Sequence, residues 1–262
     1  MIASLALMLL SAAATATTCE SLATLKLDKA TITSAQMVPE GPAPARGRGR
    51  GAPAAQGAAP ATPPPPAVTN PAHCRVQVVL KPSSDSLINM EMWLPPAEAW
   101  NGKFMGVGNG GFAGSIQGLN SEMPQALRLG YATAGTDTGH QEQGGAWAIG
   151  HPEKMIDFGY RATHEMTLKA KQILNAFYDR SAQYSYFKGC PTGGRMALME
   201  AQRYPDDYDG IIAGSLANRH IHMWTAGIER SISLSRNPDR AITAEQAALV
   251  NNLVTNKCDT LK

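Results

Sequence analysis

The chain has 262 residues, 44% hydrophobic and 17% charged, a balance that excludes a wholly disordered polypeptide. Its 23 basic and 21 acidic residues leave a net charge of +2, which argues against a nucleic-acid binder with a broad basic face. Four cysteines, at 19, 74, 190 and 258, are too few and too scattered for a disulfide scaffold or a zinc ribbon.

Residues 1–16 read as a signal peptide. The apolar run stops before Cys19, and Ala14-Thr15-Ala16 has the small-x-small pattern of a signal-peptidase site. It is too short for a transmembrane helix, which needs about 20 apolar residues. No Lys or Arg precedes it, and a buried N-terminal helix is the rival reading. Export implies a secreted or periplasmic protein, free of the membrane after cleavage, in which disulfides persist.

Residues 17–37 form a short N-terminal segment ahead of a Pro/Ala/Gly-rich stretch at 38–71 that holds ten of the 18 prolines. Such a composition buries little apolar surface, so a disordered, partly polyproline linker is expected. Within it, Arg46-Gly47-Arg48-Gly49-Arg50-Gly51 superficially resembles an RNA-binding segment; it is read as solvated linker, with no nucleic-acid partner. Cys19 and Cys74 flank the linker and could join its ends. Without leader and linker, roughly 210 residues remain to build a core, within the single-domain range.

Beyond the linker, strands alternate with helices. Residues 74–80 and 89–94 read as strands split by the turn-prone Lys81 to Asp85, and 103–107 as a strand feeding a glycine-rich turn, 108–114. A strand follows at 130–135. Between Tyr160 and Tyr178, Met166, Ala170, Ile173, Leu174 and Phe177 recur at helical spacing. Residues 184–189 form a strand, 195–203 a helix stopped by Pro205, and 209–214 a buried-type strand. Thr243 and Gln246 resemble a capping box opening a helix with Ala247, Val250, Leu253 and Val254 on one face. The pattern implies an α/β fold, its mainly parallel sheet covered by helices on both faces.

One turn is placed to carry chemistry. Phe187 to Leu198 runs from a strand through Gly189-x-x-x-Gly193 into a helix, the setting of a nucleophile elbow. The apex of such a turn holds the nucleophile at positive φ, and the helix N-terminus behind it favours developing negative charge. Here the apex is Pro191, which has no nucleophile and whose ring fixes φ near −65°. Cys190 and Thr192 are alternatives one step off the apex, and a plain strand-to-helix turn is the remaining reading.

Several motifs together resemble one family. They are 100–104 (WNGKF), 108–114 (GNGGFAG), 136–140 (TDTGH), 157–165 (DFGYRATHE), Gly193-Gly194-Arg195, 199–205 (MEAQRYP) and 209–214 (DGIIAG). With them the chain resembles the tannase/feruloyl esterase family of secreted α/β-hydrolases, which also includes the PET-monoester hydrolase. The resemblance runs from Cys19 to Lys262, interrupted by the linker, and covers only the family's N-terminal part. It implies a partial α/β-hydrolase-like domain over residues 72–262, C-terminally truncated and without the lid domain.

Carried over, the family's serine nucleophile falls on Pro191, directly after Cys190. The family's aspartate and histidine lie far downstream, and the 71 residues after Pro191 hold no match for that region. His140 and His164, which sit in family motifs, read as structural hydrogen-bonding residues. The oxyanion hole would use the N–H of Thr192 and of Gly110 or Gly111. A phosphate cradle is the rival for that turn, weakened by the missing Lys-Ser/Thr ending. The family's calcium loop would retain only Asp259, a single ligand where six to eight oxygens are needed, so no cofactor is expected. Cys190 and Cys258 would lack the partners they have in the family.

Three functional readings follow. The resemblance implies a carboxylic ester hydrolase acting on a small phenolic ester such as a gallate or ferulate. Pro191 and the missing acid–base pair imply instead an inactive fragment or pseudoenzyme. The third is an exported binding module using an open sheet edge, which would also promote aggregation.

Overall fold

The computed structural model describes residues 17–42, 69–112, 114–119, 122–142, 144–216 and 219–259. The expected signal peptide and most of the linker, with its Arg-Gly run, lie outside them. The chain divides into two compact units, Met1–Leu216 and Ala217–Lys262.

In the first unit a short 3-10 turn, Glu20–Thr24, leads into β1 (Ala30–Val38). The two-residue strands β2 (Gly41–Pro42) and β3 (Thr69–Asn70) pair with each other. Then follow β4 (His73–Leu80), β5 (Ile88–Leu94), β6 (Lys103–Val107), α1 (Glu122–Arg128) and β7 (Ala132–Thr136). The short α2 (Pro152–Ile156) runs through one π-helical turn, Asp157–Arg161, into α3 (Ala162–Tyr178). The unit closes with β8 (Tyr184–Gly189), α4 (Thr192–Arg203) and β9 (Gly210–Ala213).

Seven strands form one sheet in the order β1-β4-β5-β7-β6-β8-β9. Pairing is antiparallel from β1 to β7 and parallel from β7 to β9. The parallel character read from the strand–helix alternation therefore belongs to one half of the sheet. The other half grew from hairpin-like neighbours that the alternation pattern did not distinguish.

Side-chain alternation sends β5 residues to both faces. Met90, Met92 and Leu94 join a core with Phe104, Phe187, α3 (Met166, Ala170, Ile173, Leu174) and α4 (Met196, Ala197). Trp93 faces the other way, with Val107, Leu119 and the α1 residues Met123 and Leu127. Helices thus cover both faces. The Tyr178 ring at the end of α3 stacks on Trp100 at 3.9 Å and its hydroxyl donates to Pro95 O. Asp179 then ends the helix in a left-handed conformation, φ 53°.

β1 carries no strong sequence signal, because its burial does not alternate and only Ile32 is buried. It is an edge strand held by pairing with β4, where Met37 lies opposite Cys74. Cys19 and Cys74 form a disulfide, with Cα atoms 5.5 Å apart. Within the stretch 38–71, Val38, Gly41–Pro42 and Thr69–Asn70 are paired backbone.

The second unit holds α5 (His220–Arg236) and α6 (Ala244–Asp259). The capping box at the start of α6 is reciprocal: the Thr243 N–H donates to Gln246 Oε1, and the Gln246 N–H donates to Thr243 Oγ1. Val250, Leu253 and Val254, on the apolar face read from the sequence, are exposed. Among the described residues, no helix is long and apolar enough to cross a membrane.

Candidate active site

The site lies at the carboxyl ends of the parallel strands β6 and β8, where ligands bind in open α/β sheets. The two strands end side by side, Val107 opposite Lys188, and each runs into a turn. The turns clasp through backbone. Gly108 N–H donates to Lys188 O (2.8 Å) and Gly193 N–H to Asn109 O (2.6 Å). The Asn109 amide in turn donates to Thr136 O on β7 (3.0 Å).

This clasp explains the glycines better than substrate access does. A Cβ at Gly189 would lie 2.5 Å from the Gly193 backbone, and one at Gly108 would lie 2.6 Å from Gly193 Cα. A Cβ at Gly194 would lie 2.4 Å from Gly214 O. Only glycine lets α4 start so close to two strand ends. Gly111 is different: it has open space around it and takes φ +62°.

Gly110, Gly111, Cys190 and Pro191 form an exposed floor, while Thr192 is buried. The Cys190–Pro191 peptide is cis, and Pro191 sits at φ −82°, ψ −37° as the N-cap of α4. No positive-φ elbow exists at this position. A Cβ on Gly110 would stand 3.4 Å from Pro191 Cδ, so the pyrrolidine ring lies against the glycine turn. Cys190 carries a free, exposed thiol. The Thr192 hydroxyl donates to Gly111 O, a short bond that ties the two turns together. That commitment makes Thr192 a brace between turns. The Thr192 hydroxyl, an alternative nucleophile on sequence grounds, is thus engaged by a partner 81 residues away that no local pattern reveals.

As the first residue of α4, Thr192 has no helical carbonyl to receive its N–H, and the partial positive charge of the helix start is concentrated there. The helix start is held from below by Arg195, which donates to Gly159 O (2.6 Å) and Phe158 O (2.8 Å) and lies 4.7 Å over the Phe158 ring. Burial pushes the Arg195 guanidinium below its usual range. Phe112, Phe158, Trp147 and His140 form an aromatic cluster beside the Gly111 turn, with His140 stacked on Trp147 at 4.1 Å. Burial lowers the pKa of His140. Asp137 accepts from the Asn89 N–H, the Asn89 amide and the Gly139 N–H, and burial raises its pKa.

His164 is part of a second cluster that the sequence did not reveal. Its Nδ1 lies 2.6 Å from Asp207 Oδ2, and its ring stacks on Tyr204 at 3.7 Å. Glu200 approaches the same point. No local spacing links residues 164, 200 and 207; the packing of α3 against α4 does. Cys258 is free and exposed on α6, and Asp259 is the last residue of that helix.

A mixed sheet with helices on both faces and a glycine-clasped turn from β8 into α4 is the architecture of an α/β-hydrolase esterase. The structure of feruloyl esterase B from Aspergillus oryzae superposes with a TM-score of 0.63 at 34% identity, over 76% of this chain and 36% of that one. Tannin acyl hydrolase from Aspergillus niger shares the fold, with a TM-score of 0.56 at 23% identity, over 75% of this chain and 35% of that one. The family model for tannase and feruloyl esterase matches residues 74–262, and the chain belongs to that family.

Among curated relatives, feruloyl esterase B of Aspergillus niger is 38% identical over 188 residues, 71% of this chain and 35% of that protein. An uncharacterized esterase of Xanthomonas campestris pv. campestris is 36% identical over 253 residues, 96% of this chain and 41% of that protein. The chain thus spans between about a third and two fifths of the length of these curated relatives.

Proposed function

We propose that this chain carries the oxyanion-binding turns of a phenolic ester hydrolase, with a proline at the nucleophile position that leaves it inactive as an esterase. The observation that carries the reading is the clasp itself. The Thr192 N–H at the start of α4 and the exposed Gly110-Gly111 turn are braced by the Thr192 hydroxyl on Gly111 O. Two backbone donors so placed suit the negative oxygen of a tetrahedral ester intermediate. The family membership and the feruloyl esterase relatives support a small phenolic ester as the ligand. The aromatic cluster beside Gly111 suits a phenolic ring.

Pro191 supports the inactivity. It offers no hydroxyl or thiol, and its φ is far from that of an elbow apex. Losing the nucleophile of a serine-type triad costs several orders of magnitude in rate. A non-catalytic binder of phenolic compounds is the reading that follows. The Cys19–Cys74 disulfide supports a secreted or periplasmic setting.

The test is turnover of methyl ferulate and methyl gallate by the purified chain. No hydrolysis above an empty-vector control is expected. Hydrolysis that Cys190→Ala or Thr192→Ala abolishes would overturn the reading and restore an off-apex nucleophile.

A further inference from the structure

We infer that His164, Glu200 and Asp207 form a binding site for one divalent cation of the zinc type. The three residues come from α3, from α4 and from the turn after it, and each offers one ligand atom, all within 4.8 Å of one another. Ligand atoms around a tetrahedral zinc stand roughly 3.3 Å apart, so the cluster would contract modestly on binding. The flat stack on Tyr204 holds the His164 ring in orientation.

Glu200 provides a second, independent observation. It is 0% exposed, and neither carboxyl oxygen meets a hydrogen-bond donor. Its neighbour in the cluster is the Asp207 carboxylate, an acceptor like itself. Buried polar groups are normally paired, and a buried carboxylate without a donor is costly. Lys171 is the cation at hand, and its Nζ donates to the Asp207 backbone carbonyl at 2.5 Å. A divalent ion on the two carboxylates and a neutral imidazole would displace the proton that the two carboxyl groups otherwise share, and would give both Glu200 oxygens an electrostatic partner.

The donor set selects the ion. One imidazole nitrogen with two carboxylate oxygens suits zinc or manganese, whereas calcium needs six to eight oxygens. The His164 side chain is 23% exposed, which gives the ion an entry path and leaves room for water as a fourth ligand. The site is more than two helical turns along α4 from Thr192, so a bound ion would pin α3 to the far end of α4 and take no part in ester chemistry.

The experiment is calorimetric titration of the full chain with Zn2+ and with Mn2+, in chelator-free buffer, without any ester. It is run in a Cys190→Ser/Cys258→Ser background so that free thiols do not compete. We expect one saturable zinc equivalent, weaker manganese binding, and a rise in Tm with zinc. Glu200→Gln should weaken zinc at least tenfold while folding normally, and His164→Gln should do the same. Absence of saturable zinc binding, or unchanged zinc affinity in a folded Glu200→Gln or His164→Gln chain, would overturn the inference. In those cases the two carboxyl groups share only a proton.

Discussion

The two halves of the sheet are built on different principles. On the antiparallel side, β1, β4 and β5 are held by side chains: a disulfide, alternating buried aliphatics, and a buried carboxylate on β5. That carboxylate, Glu91, accepts from Arg75 Nε (2.7 Å) and Nη2 (2.8 Å), from Gln77 (3.3 Å) and from Trp93 Nε1 (2.6 Å). On the parallel side, the turns that follow β6 and β8 meet through backbone, with glycines where side chains would stand. β9 is the last strand among the described residues, with Ile212 60% exposed. One half anchors the fold by filling space; the other holds a site open by keeping side chains out.

Breaking the backbone clasp should have the largest effect. Gly189→Ala places a methyl group 2.5 Å from the Gly193 backbone, with no flexible side chain able to yield. We expect a loss above about 4 kcal/mol, a large share of a typical domain's stability, read as failure to fold or a collapsed denaturation midpoint. A wild-type midpoint would show that α4 can shift and that the clasp is looser than described.

The disulfide comes next. Replacing Cys19 and Cys74 by serine removes a cross-link over a sequence separation of 55 and should lower stability by about 2–4 kcal/mol. Denaturation with and without reductant should give the same difference in the parent chain and none in the variant. Glu91→Ala should cost about 2 kcal/mol by leaving the buried Trp93 N–H without an acceptor and freeing Arg75. The pairing of β4 with β5 should survive, since its register is set by backbone and aliphatic side chains.

The smallest effect is that of pH. Burial lowers the pKa of both His140, beside the site, and His73, on the anchoring side, below 6.5. A histidine that is harder to protonate when folded contributes stability above pH 6.5, and this is lost as the pH falls through the folded value. Tm should therefore fall between pH 7 and pH 5, and His140→Phe should flatten part of that slope. An unchanged slope would assign it to other groups.

A chimera sharpens the same comparison on the functional side. Pro191→Ser, joined to the C-terminal part of Aspergillus niger feruloyl esterase B, should hydrolyse methyl ferulate, whereas the Pro191 chimera should not. Equal, well-folded inactivity of both would place the defect outside residue 191.

The anchoring half was largely legible in the sequence, because Val76, Val78 and Leu80 alternate and bounded apolar runs mark strands. Sheet order was not, since pairing joins residues by position in space. β1 was missed because an edge strand with one buried residue has no period to detect. In the site, Gly189 and Gly193 announced a tight strand-to-helix turn with Pro191 in it, and the glycine-rich loop announced the turn that clasps it. What stayed hidden was long-range: the Thr192 brace to Gly111, and the meeting of His164 with Glu200 and Asp207. α6 was legible from its capping box and helical period, although a period alone does not say what its apolar face packs against.

The β2–β3 ladder has a practical consequence. Gly41–Pro42 and Thr69–Asn70 bring the two ends of the proline-rich stretch together at one point on the rim of the sheet, next to the Cys19–Cys74 staple. Closure entropy grows only by about 0.6 kcal/mol per doubling of loop length, so such a port accepts cargo cheaply. A reporter domain spliced between residues 43 and 68 would ride on the protein from the side away from the catalytic-type turns, leaving both halves of the sheet to fold as before.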